Sequence, residues 1–294
     1  MTFTIEIGTP EPAAARALLE SVAGADGVEP FGEAFVRGLE DEDAGHRHVQ
    51  LLDDGALCGL AGVAGDSAEL AVSPDVRRRG GGKAMLDAVD RLVGKQLPVW
   101  AHGDVAGAAE LAAATGRKVV RELLQMTAPR DVVAGLADED APEGIRLEDL
   151  PAARARMGDD AVDEAWLAVN NEAFDWHPEQ GGWDVDQLRR GRGAEWFDPA
   201  GVLFAVDDST GGILGFHWTK WHGGGVGEVY VIGLAAAARG RGAGGWLTRA
   251  GMRHLRDRGA DRVILYVEGD NEPAVRTYER TGFDVTRRDV MYGV

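Results

Sequence analysis

Cysteine is almost absent from this chain, which contains one among its 294 residues. A single cysteine excludes an internal disulfide and a zinc cluster built from cysteine thiolates. Cys58 lies in the apolar run 56–60, where a buried structural thiol is more common than a nucleophile. We therefore predict neither a disulfide framework nor thiol chemistry, and we predict no metal site.

Positive charge is also scarce, because 31 Lys and Arg stand against 49 Asp and Glu, giving a formal net charge of −18. Binding to nucleic-acid phosphates requires clustered basic side chains, so this balance argues against a nucleic-acid partner. An acidic surface suits a cationic substrate, although solubility alone would explain it equally well.

Long apolar runs are missing as well. None approaches the ~20 residues that a membrane-spanning helix requires. The segment 1–7 lacks the basic region and the apolar core of a signal peptide. We therefore predict a cytoplasmic protein without a membrane partner, and we expect a monomer.

The chain is long enough for two ordinary domains, each with its own core. Residues 129–144 are acidic, contain Pro129 and Pro142, and have no clear period, which is typical of a linker. We predict a first domain over 1–130, a linker over 131–144 and a second domain over 145–294.

The most informative stretch runs from Gly227 to Phe283. An apolar segment (227–234) is followed by a glycine-rich turn (239–245), an amphipathic run (246–258), a second apolar run (262–268) and a last helix-like segment. By period these are strand, turn, helix, strand and helix, which predicts an α/β fold.

The glycine-rich turn Arg239-x-x-Gly242-x-Gly244 follows a strand and opens a helix. Glycines let the backbone approach a ligand closely, and the N–H groups of a first helical turn are free. This combination predicts an anion site suited to a pyrophosphate. The dinucleotide-binding pattern Gly-x-Gly-x-x-Gly with a later acidic residue is absent in that form, and ordinary helix capping stays possible for the turn alone.

The first half of the chain repeats this order, since Arg77-x-x-Gly80-x-Gly82 also lies between a strand-like and a helix-like segment. Aligning Gly116 with Gly282 places Ala112 where the second half has Tyr278. The first half thus keeps the anion site and lacks the tyrosine.

Aromatic side chains are concentrated between residues 163 and 187, beside carboxylates and amides. This composition suits a sugar or polyol pocket, whereas helices packed over a sheet would use tryptophans in the same way, and both interpretations stay open. The residues are Trp166, Phe174, Trp176, His177 and Trp183, with Asn170, Asn171, Glu172, Glu179 and Gln180.

The two motifs of the second half together resemble the acetyl-CoA-binding core of the GNAT acetyltransferases. The turn 239–244 looks like the pyrophosphate loop, and Asn271-x-x-Ala274-x-x-x-Tyr278-x-x-x-Gly282-Phe283 looks like the second motif. Segments 170–181, 227–233 and 265–280 further resemble the mycothiol acetyltransferase family, and the resemblance covers nearly the whole chain. It implies two tandem GNAT domains, each a mixed twisted sheet flanked by helices, with a degenerate first domain.

The resemblance implies acetyl transfer from acetyl-CoA to the cysteinyl amine of cysteinyl-glucosaminyl-inositol, the last step of mycothiol synthesis. Acetyl-CoA and this amino-sugar would be the partners, without a metal. Two alternatives stay open. One is a GNAT enzyme acting on another amine, such as a protein N-terminus or an aminoglycoside. The other is a non-enzymatic acyl-CoA-binding module, which we favour for the first domain alone.

The resemblance also implies roles for individual residues. Glu228 would be the general base and Tyr278 the general acid. Contacts to the substrate would come from Glu33, Glu179, Lys220, Glu228 and Tyr266. Contacts to acetyl-CoA would come from Ile232, Gly233, Leu234, Arg239, Gly240, Arg241, Gly242, Ala243, Gly244, Gly245, Asn271, Glu272, Pro273, Ala274, Val275 and Arg276, and in the first domain from Ala71, Val72, Ser73, Arg77, Gly80 and Gly82.

One departure from the family pattern follows Leu234, where the chain reads Ala-Ala-Ala-Ala over 235–238 in place of an expected Asp-Pro turn. A turn can drift in sequence and still close. We therefore expect an effect on the rigidity of this loop more than on activity.

The assigned chemistry is consistent with the side chains themselves. An α-amine has a pKa of about 7.7–8.0 and must lose a proton before it attacks. Glu228 can accept that proton directly or through water. A backbone N–H near Leu234 would stabilise the oxyanion. Tyr278, with an ordinary pKa of about 10, can protonate the leaving thiolate. A core tyrosine and a solvated strand end are the alternatives for these two residues.

Overall fold

The computed structural model describes residues 3–39, 41–176 and 180–294, and the chain forms two compact units. Unit 1 comprises Met1–Leu124, Glu268–Asp270 and Arg287–Val294, and unit 2 comprises Gln125–Val267 and Asn271–Thr286. Each unit contains a mixed sheet with helices on both faces, which is the predicted α/β fold class. No helix of the described residues is long and apolar enough to cross a membrane.

Unit 1 is built on strands that neighbour one another in the order β1, β2, β3, β4, β5 and β12. Its strands are β1 (Thr4–Ile7), β2 (Arg47–Asp53), β3 (Ala56–Ala64), β4 (Ser67–Val72), β5 (Val99–Ala101), the start of β6 (Lys118–Ala128) and the end of β12 (Asp284–Gly293). Its helices are α1 (Pro12–Asp26), α2 (Glu33–Arg37), α3 (Gly81–Val93) and α4 (Ala108–Ala114).

Two apolar clusters form the core of unit 1. On one face of the sheet, Leu18 of α1 and Phe35 of α2 pack with Leu60 of β3. On the other face, Met85 of α3 packs with a cluster that includes Cys58. The Cys58 thiol is buried, as the sequence predicted.

Unit 2 has strands neighbouring one another in the order β11, β10, β9, β8 and β7. These strands are β7 (Ile145–Asp149), β8 (Val202–Asp207), β9 (Ile213–Gly223), β10 (Val226–Leu234) and β11 (Arg262–Glu268). The helices are α5 (Arg130–Ala134), α6 (Leu150–Met157), α7 (Asp159–Ala173), α8 (Val185–Arg192), α9 (Ala243–Asp257) and α10 (Glu272–Arg280).

The core of unit 2 also lies on both faces of its sheet. Trp166 of α7 packs edge-on against Phe204 and Trp218 on one face. On the other face, α9 buries Trp246 and Leu247 against Leu203. An amphipathic α9 therefore holds its N-terminus against the end of β10, where the glycine-rich turn lies.

The compact units do not coincide with the predicted domain boundaries. The chain end, Arg287–Val294, belongs to unit 1 because β12 pairs with β5, with Val290 opposite Ala101 and Tyr292 opposite Val99. The predicted linker packs within unit 2, since arginines of α9 bond to it: Arg256 donates to the Leu136 carbonyl, and Arg249 pairs with Glu139 at 2.7 Å. Neither the pairing of β12 with β5 nor the arginine contacts to the linker is marked by a local pattern in the sequence.

Candidate active site

Strand β10 separates from β11 halfway along its length. The parallel pairing begins with Val226 opposite Arg262 and, within the described residues, ends with Val229 opposite Leu265. At the same point the pairing of β10 with β9 shifts register between Val229 and Val231, a β-bulge at Tyr230. The remaining part of β10, up to Leu234, therefore has a backbone edge that does not pair with β11 and is available for an extended ligand.

The glycine-rich turn lies at the end of this free edge. Gly240 and Gly242 have φ angles of 75° and 77°, in the left-handed region that favours glycine. Gly242 caps α9 without a side-chain hydrogen bond, so the first N–H groups of the helix lack an intrahelical partner. A Cβ on Gly244 would lie 3.3 Å from the Leu234 side chain, which shows how closely helix and strand end approach. The geometry fits a pyrophosphate.

The four-alanine turn closes without the expected Asp-Pro sequence. Its residues Ala236–Ala238 form a 3₁₀ turn, and the Ala238 N–H donates to the Ala235 carbonyl at 3.0 Å. Glu172 of α7 accepts a hydrogen bond of 2.8 Å from the Ala236 N–H. A carboxylate from another element thus holds the turn in place.

Glu228 is the buried carboxylate of this region, and its side chain is 9% exposed. It lies on the face of β10 away from α9, because its neighbour Gly227 faces α9 so closely that a Cβ would lie 2.9 Å from Leu255. His222 Nε2 lies 2.5 Å from Glu228 Oε2, and Lys220 Nζ lies 4.0 Å from the same oxygen. A buried carboxylate next to two basic side chains is a strong candidate for proton transfer.

Three of the five predicted substrate residues share one face of the sheet in unit 2. Lys220 of β9 is directly opposite Glu228, and Glu228 is opposite Ile264 of β11. Tyr266 is two residues beyond Ile264 and so has the same orientation. It is 40% exposed, and its hydroxyl accepts a hydrogen bond from Gln125 at 2.9 Å. Of the other two, Glu33 begins α2 in unit 1, and Glu179 lies outside the described residues.

Aromatic rings surround the charged pair. The Lys220 ammonium lies 5.2 Å from the ring centroid of Trp196 and 5.7 Å from that of Tyr230. Burial, and the Glu228 carboxylate beside it, raise the pKa of Tyr230. Trp196, Tyr230 and His222 were not among the sequence-predicted site residues. Tyr230 lies inside the segment 227–233, whereas Trp196 and His222 lie outside the segments that carry the resemblance, and spacing alone marks none of the three as a site residue.

Most of the aromatic segment 163–187 has a packing role. Trp166 is a fully buried core residue. The Asn171 amide accepts from the Trp183 N–H at 2.9 Å and donates to its carbonyl, so it anchors the following loop. Trp176 is 53% exposed, and His177 and Glu179 lie outside the described residues. The burial of Trp166 therefore favours core packing over a sugar pocket for this tryptophan.

Tyr278 lies on α10, which starts at the second predicted motif. The Asn271 side chain caps this helix by accepting from the Ala274 N–H, and Pro273 occupies its first turn. Tyr278 is buried and packs edge-on against Phe283 at 6.0 Å. Burial raises the pKa of Tyr278 to about 12. Its hydroxyl therefore keeps its proton at neutral pH and can act as a donor.

The predicted acetyl-CoA residues of unit 2 fall into three places. Ile232, Gly233 and Leu234 form the free end of β10; Arg239–Gly245 cover the turn and the first turn of α9; Glu272–Arg276 form the start of α10. Three of their side chains have partners within the protein, because Arg241 donates to the Glu143 carbonyl at 3.2 Å and Arg276 pairs with Glu272 at 2.8 Å.

Unit 1 contains a corresponding cavity of about 460 Å³. Strands β4 and β5 pair at Ala68–Val99 and Glu69–Trp100, and β4 then continues to Val72. Gly80 caps α3 with a φ of 86°. The predicted residues Ala71, Val72, Arg77, Gly80 and Gly82 all line the cavity, as does Ala112, whereas Ser73 does not.

Two side chains of this cavity have structural partners. Arg77 forms a two-pronged ion pair with Asp26, at 2.7 and 2.8 Å, and it also donates to the Val72 carbonyl. Its guanidinium thus holds α1 to the loop. Tyr292 of β12 lines the cavity as well, and its hydroxyl donates to Asp104 at 2.9 Å.

A buried charged cluster closes one wall of the same cavity. His102 Nε2 lies 2.9 Å from Glu69, and its Nδ1 lies 3.4 Å from Asp289. Burial alone would lower the pKa of His102, but the hydrogen bonds to Asp289 and Glu69 raise it to about 9. At neutral pH the imidazolium of His102, which follows β5, therefore links β4 to β12.

This link predicts a pH-dependent stability. The pKa of His102 is higher in the folded state than in the unfolded state, so its protonated form stabilises folding. This contribution is complete below the unfolded pKa of about 6.5 and is lost as the pH rises to about 9. The loss is on the order of 3 kcal/mol. Urea unfolding at several values between pH 6 and pH 10 should show this decline, and His102→Gln should flatten it. The same decline in both proteins would contradict the role of His102.

Comparison with known proteins places these features in a family. Residues 166–283 match the Acetyltransferase (GNAT) family. A mycothiol acetyltransferase of Corynebacterium aurimucosum is 44% identical over 91% of this chain and 90% of its own length. One of Mycolicibacterium vanbaalenii is 46% identical over 95% and 92%.

Solved structures agree with this placement. A GCN5-related N-acetyltransferase from Sphaerobacter thermophilus superposes with a TM-score of 0.74 at 25% identity, covering 98% of this chain and 94% of that chain. A tandem GNAT protein from the clavulanic acid biosynthesis pathway shares the fold, with a TM-score of 0.68 at 18% identity over 99% and 98%.

The separated strand pair, the glycine-rich turn and the family match define a GNAT acetyltransferase, a class of enzyme that uses acetyl-CoA. Within that class, the identity over nine-tenths of the length is decisive: the chain belongs to the mycothiol acetyltransferase family. The resemblance, the tandem GNAT fold and the enzyme class predicted from the sequence are confirmed.

Proposed function

We propose that this enzyme transfers the acetyl group of acetyl-CoA to the cysteinyl amine of cysteinyl-glucosaminyl-inositol and so completes mycothiol. The observation that carries the proposal is the buried carboxylate of Glu228. Glu228 is on β10, the strand that separates from β11, and its carboxylate lies beside Lys220 of β9. The relatives' name supports the same product. We place the reaction in the cytoplasm, in a monomer.

Glu228 accepts the proton of the attacking amine in this proposal. Its carboxylate is buried in a region where little water competes, and it lies on the face that also presents Lys220 and Tyr266. These two side chains offer an ammonium and a hydroxyl to a polar substrate. Glu33 and Glu179 stay proposed substrate contacts.

The free edge of β10 and the N-terminus of α9 hold acetyl-CoA. Unpaired backbone groups beyond Val229 suit the extended pantetheine arm, and the N–H groups after Gly242 suit the pyrophosphate. A backbone N–H near Leu234 stabilises the oxyanion that forms when the amine attacks the thioester carbonyl.

Tyr278 donates its proton to the thiolate as the C–S bond breaks. The thiolate resembles that of cysteine, with a conjugate-acid pKa of about 8.5. Tyr278 is protonated beforehand because a tyrosine pKa of about 10 lies well above neutral pH, and burial raises it further. It recovers its proton from solvent after CoA leaves.

The substrate assignment is tested by comparing amines. Wild-type enzyme with acetyl-CoA should acetylate cysteinyl-glucosaminyl-inositol with a kcat/KM far above that for an aminoglycoside or a peptide with a free N-terminus. Mass spectrometry should place the acetyl group on the cysteinyl nitrogen. A higher kcat/KM for either of the other amines would overturn the assignment.

Tyr278→Phe tests the general acid. We expect kcat to fall about 100-fold, because general-acid catalysis typically contributes 10²–10⁴-fold. The Kd for acetyl-CoA should stay near the wild-type value, since the ring still packs against Phe283. The matched control is Tyr292→Phe in unit 1, which should keep most of kcat. Unchanged turnover in the Tyr278 variant would remove Tyr278 from the mechanism.

A further inference from the structure

His222 has an unusual position on strand β9. Val226 of β10 is opposite Gly223, and Gly227 is opposite Trp221, so His222 has no residue across from it. This is a β-bulge, a feature that turns a side chain away from its regular direction. The bulge brings His222 Nε2 within 2.5 Å of Glu228 Oε2.

The two partners differ in their access to water. The Glu228 side chain is 9% exposed, whereas the His222 side chain is 33% exposed. The imidazole is therefore the more water-accessible member of the pair.

The proposed reaction requires a route for a proton to solvent, and the inference rests on that reaction. An ammonium substrate has three N–H protons, and the amide product keeps one of them. One of the two lost protons is balanced by the proton that the CoA thiolate gains. The other must reach bulk water in every turnover, and Glu228 cannot accept a second substrate proton until it has released the first.

We propose that His222 acts through Glu228 as a proton relay, which takes the proton from the buried carboxylate and delivers it to solvent. Nε2 binds the proton of Glu228 while Nδ1 releases one to water, and rotation of the imidazole ring then restores the starting tautomer with the released proton left in solvent. No bond to carbon changes in this step.

The other titratable groups near Glu228 are less suited to this role. Lys220, two residues before His222 on β9, lies 4.0 Å from the carboxylate and is held over the rings of Trp196 and Tyr230. Tyr230 of β10 has a raised pKa. On β11 the residue opposite Glu228 is the apolar Ile264.

The test uses His222→Ala and His222→Gln in the full-length enzyme, with any amine that wild type acetylates. The alanine variant removes the relay, and we expect kcat at pH 7 to fall about 10- to 100-fold. Added imidazole should restore the rate in proportion to its concentration. The glutamine variant can still donate a hydrogen bond to Glu228 but cannot carry a proton, so it should stay slow.

His254→Ala is the matched control, because His254 forms a similar pair with Asp198 at 3.0 Å elsewhere in unit 2. Its rate should not respond to imidazole. Wild-type kcat and pH profile in His222→Gln would overturn the relay and leave His222 a hydrogen-bonding role only. A slow His222→Ala that ignores imidazole would also overturn it. Failure of wild type on cysteinyl-glucosaminyl-inositol alone would instead contradict the substrate assignment.

Discussion

Glu228→Gln is expected to lower kcat at pH 7 by 10²- to 10⁴-fold, the range typical of a lost general base. Glutamine has nearly the same shape and keeps a hydrogen bond to His222, so the site should stay folded. The α-amine, with a pKa of about 7.7–8.0, loses its proton without help at higher pH. The deficit should therefore shrink between pH 7 and pH 9.

The measurement is kcat and kcat/KM across that pH range at saturating acetyl-CoA. Glu164→Gln is the control, because Glu164 is an exposed residue on α7 and its loss of charge should leave both profiles unchanged. A wild-type rate at pH 7 in the Glu228 variant would exclude Glu228 as the base. A deficit confined to kcat/KM, with kcat unchanged, would point to a role in substrate binding alone.

The order strand, turn, helix, strand and helix over 227–283 was predictable from sequence because local period and glycine positions encode it. Glycines at 80 and 242, for example, adopt the left-handed φ that the motif requires. The roles of Tyr278 and Asn271 were instead implied by the family resemblance, and they stay predictions. Their positions are fixed by a helix that starts at a recognisable cap.

What the sequence did not predict depends on contacts between distant residues. His222 lies beside Glu228 because of a bulge, and a bulge is visible only in the register of two paired strands. Trp196 lies beside Lys220 because its ring packs against Trp218 and Tyr230 of the sheet. The transfer of Arg287–Val294 to unit 1 depends on pairing with β5, almost 200 residues earlier in the chain.

Gly242→Asp is expected to abolish turnover, whereas Gly80→Asp should leave most of it. Both glycines cap a helix at positive φ, 77° and 86°, and an added Cβ would meet nothing within 4 Å in either place. An aspartate there would put a carboxylate at the proposed pyrophosphate site and would repel the phosphates. Only the site after Gly242 has Glu228 and Tyr278 in the same unit.

Asparagine variants separate charge from backbone strain at both positions. Asn tolerates the left-handed region better than most residues, and Gly242→Asn and Gly80→Asn have nearly the shape of the aspartate variants without the charge. We expect each asparagine variant to bind and turn over closer to wild type than its aspartate counterpart. Equal defects in both members of a pair would assign the effect to the backbone.

Calorimetric titration with acetyl-CoA counts the sites directly. Wild type should bind two equivalents and each aspartate variant one, because unit 1 has its own cavity and its own capped helix. Ala112, which aligns in sequence with Tyr278, lines this cavity, so acetyl-CoA bound there should lack the proposed general acid. An inactive but folded Gly80→Asp with an active Gly242→Asp would reverse the two roles. One equivalent in wild type would mean that the glycines of unit 1 serve only to cap α3.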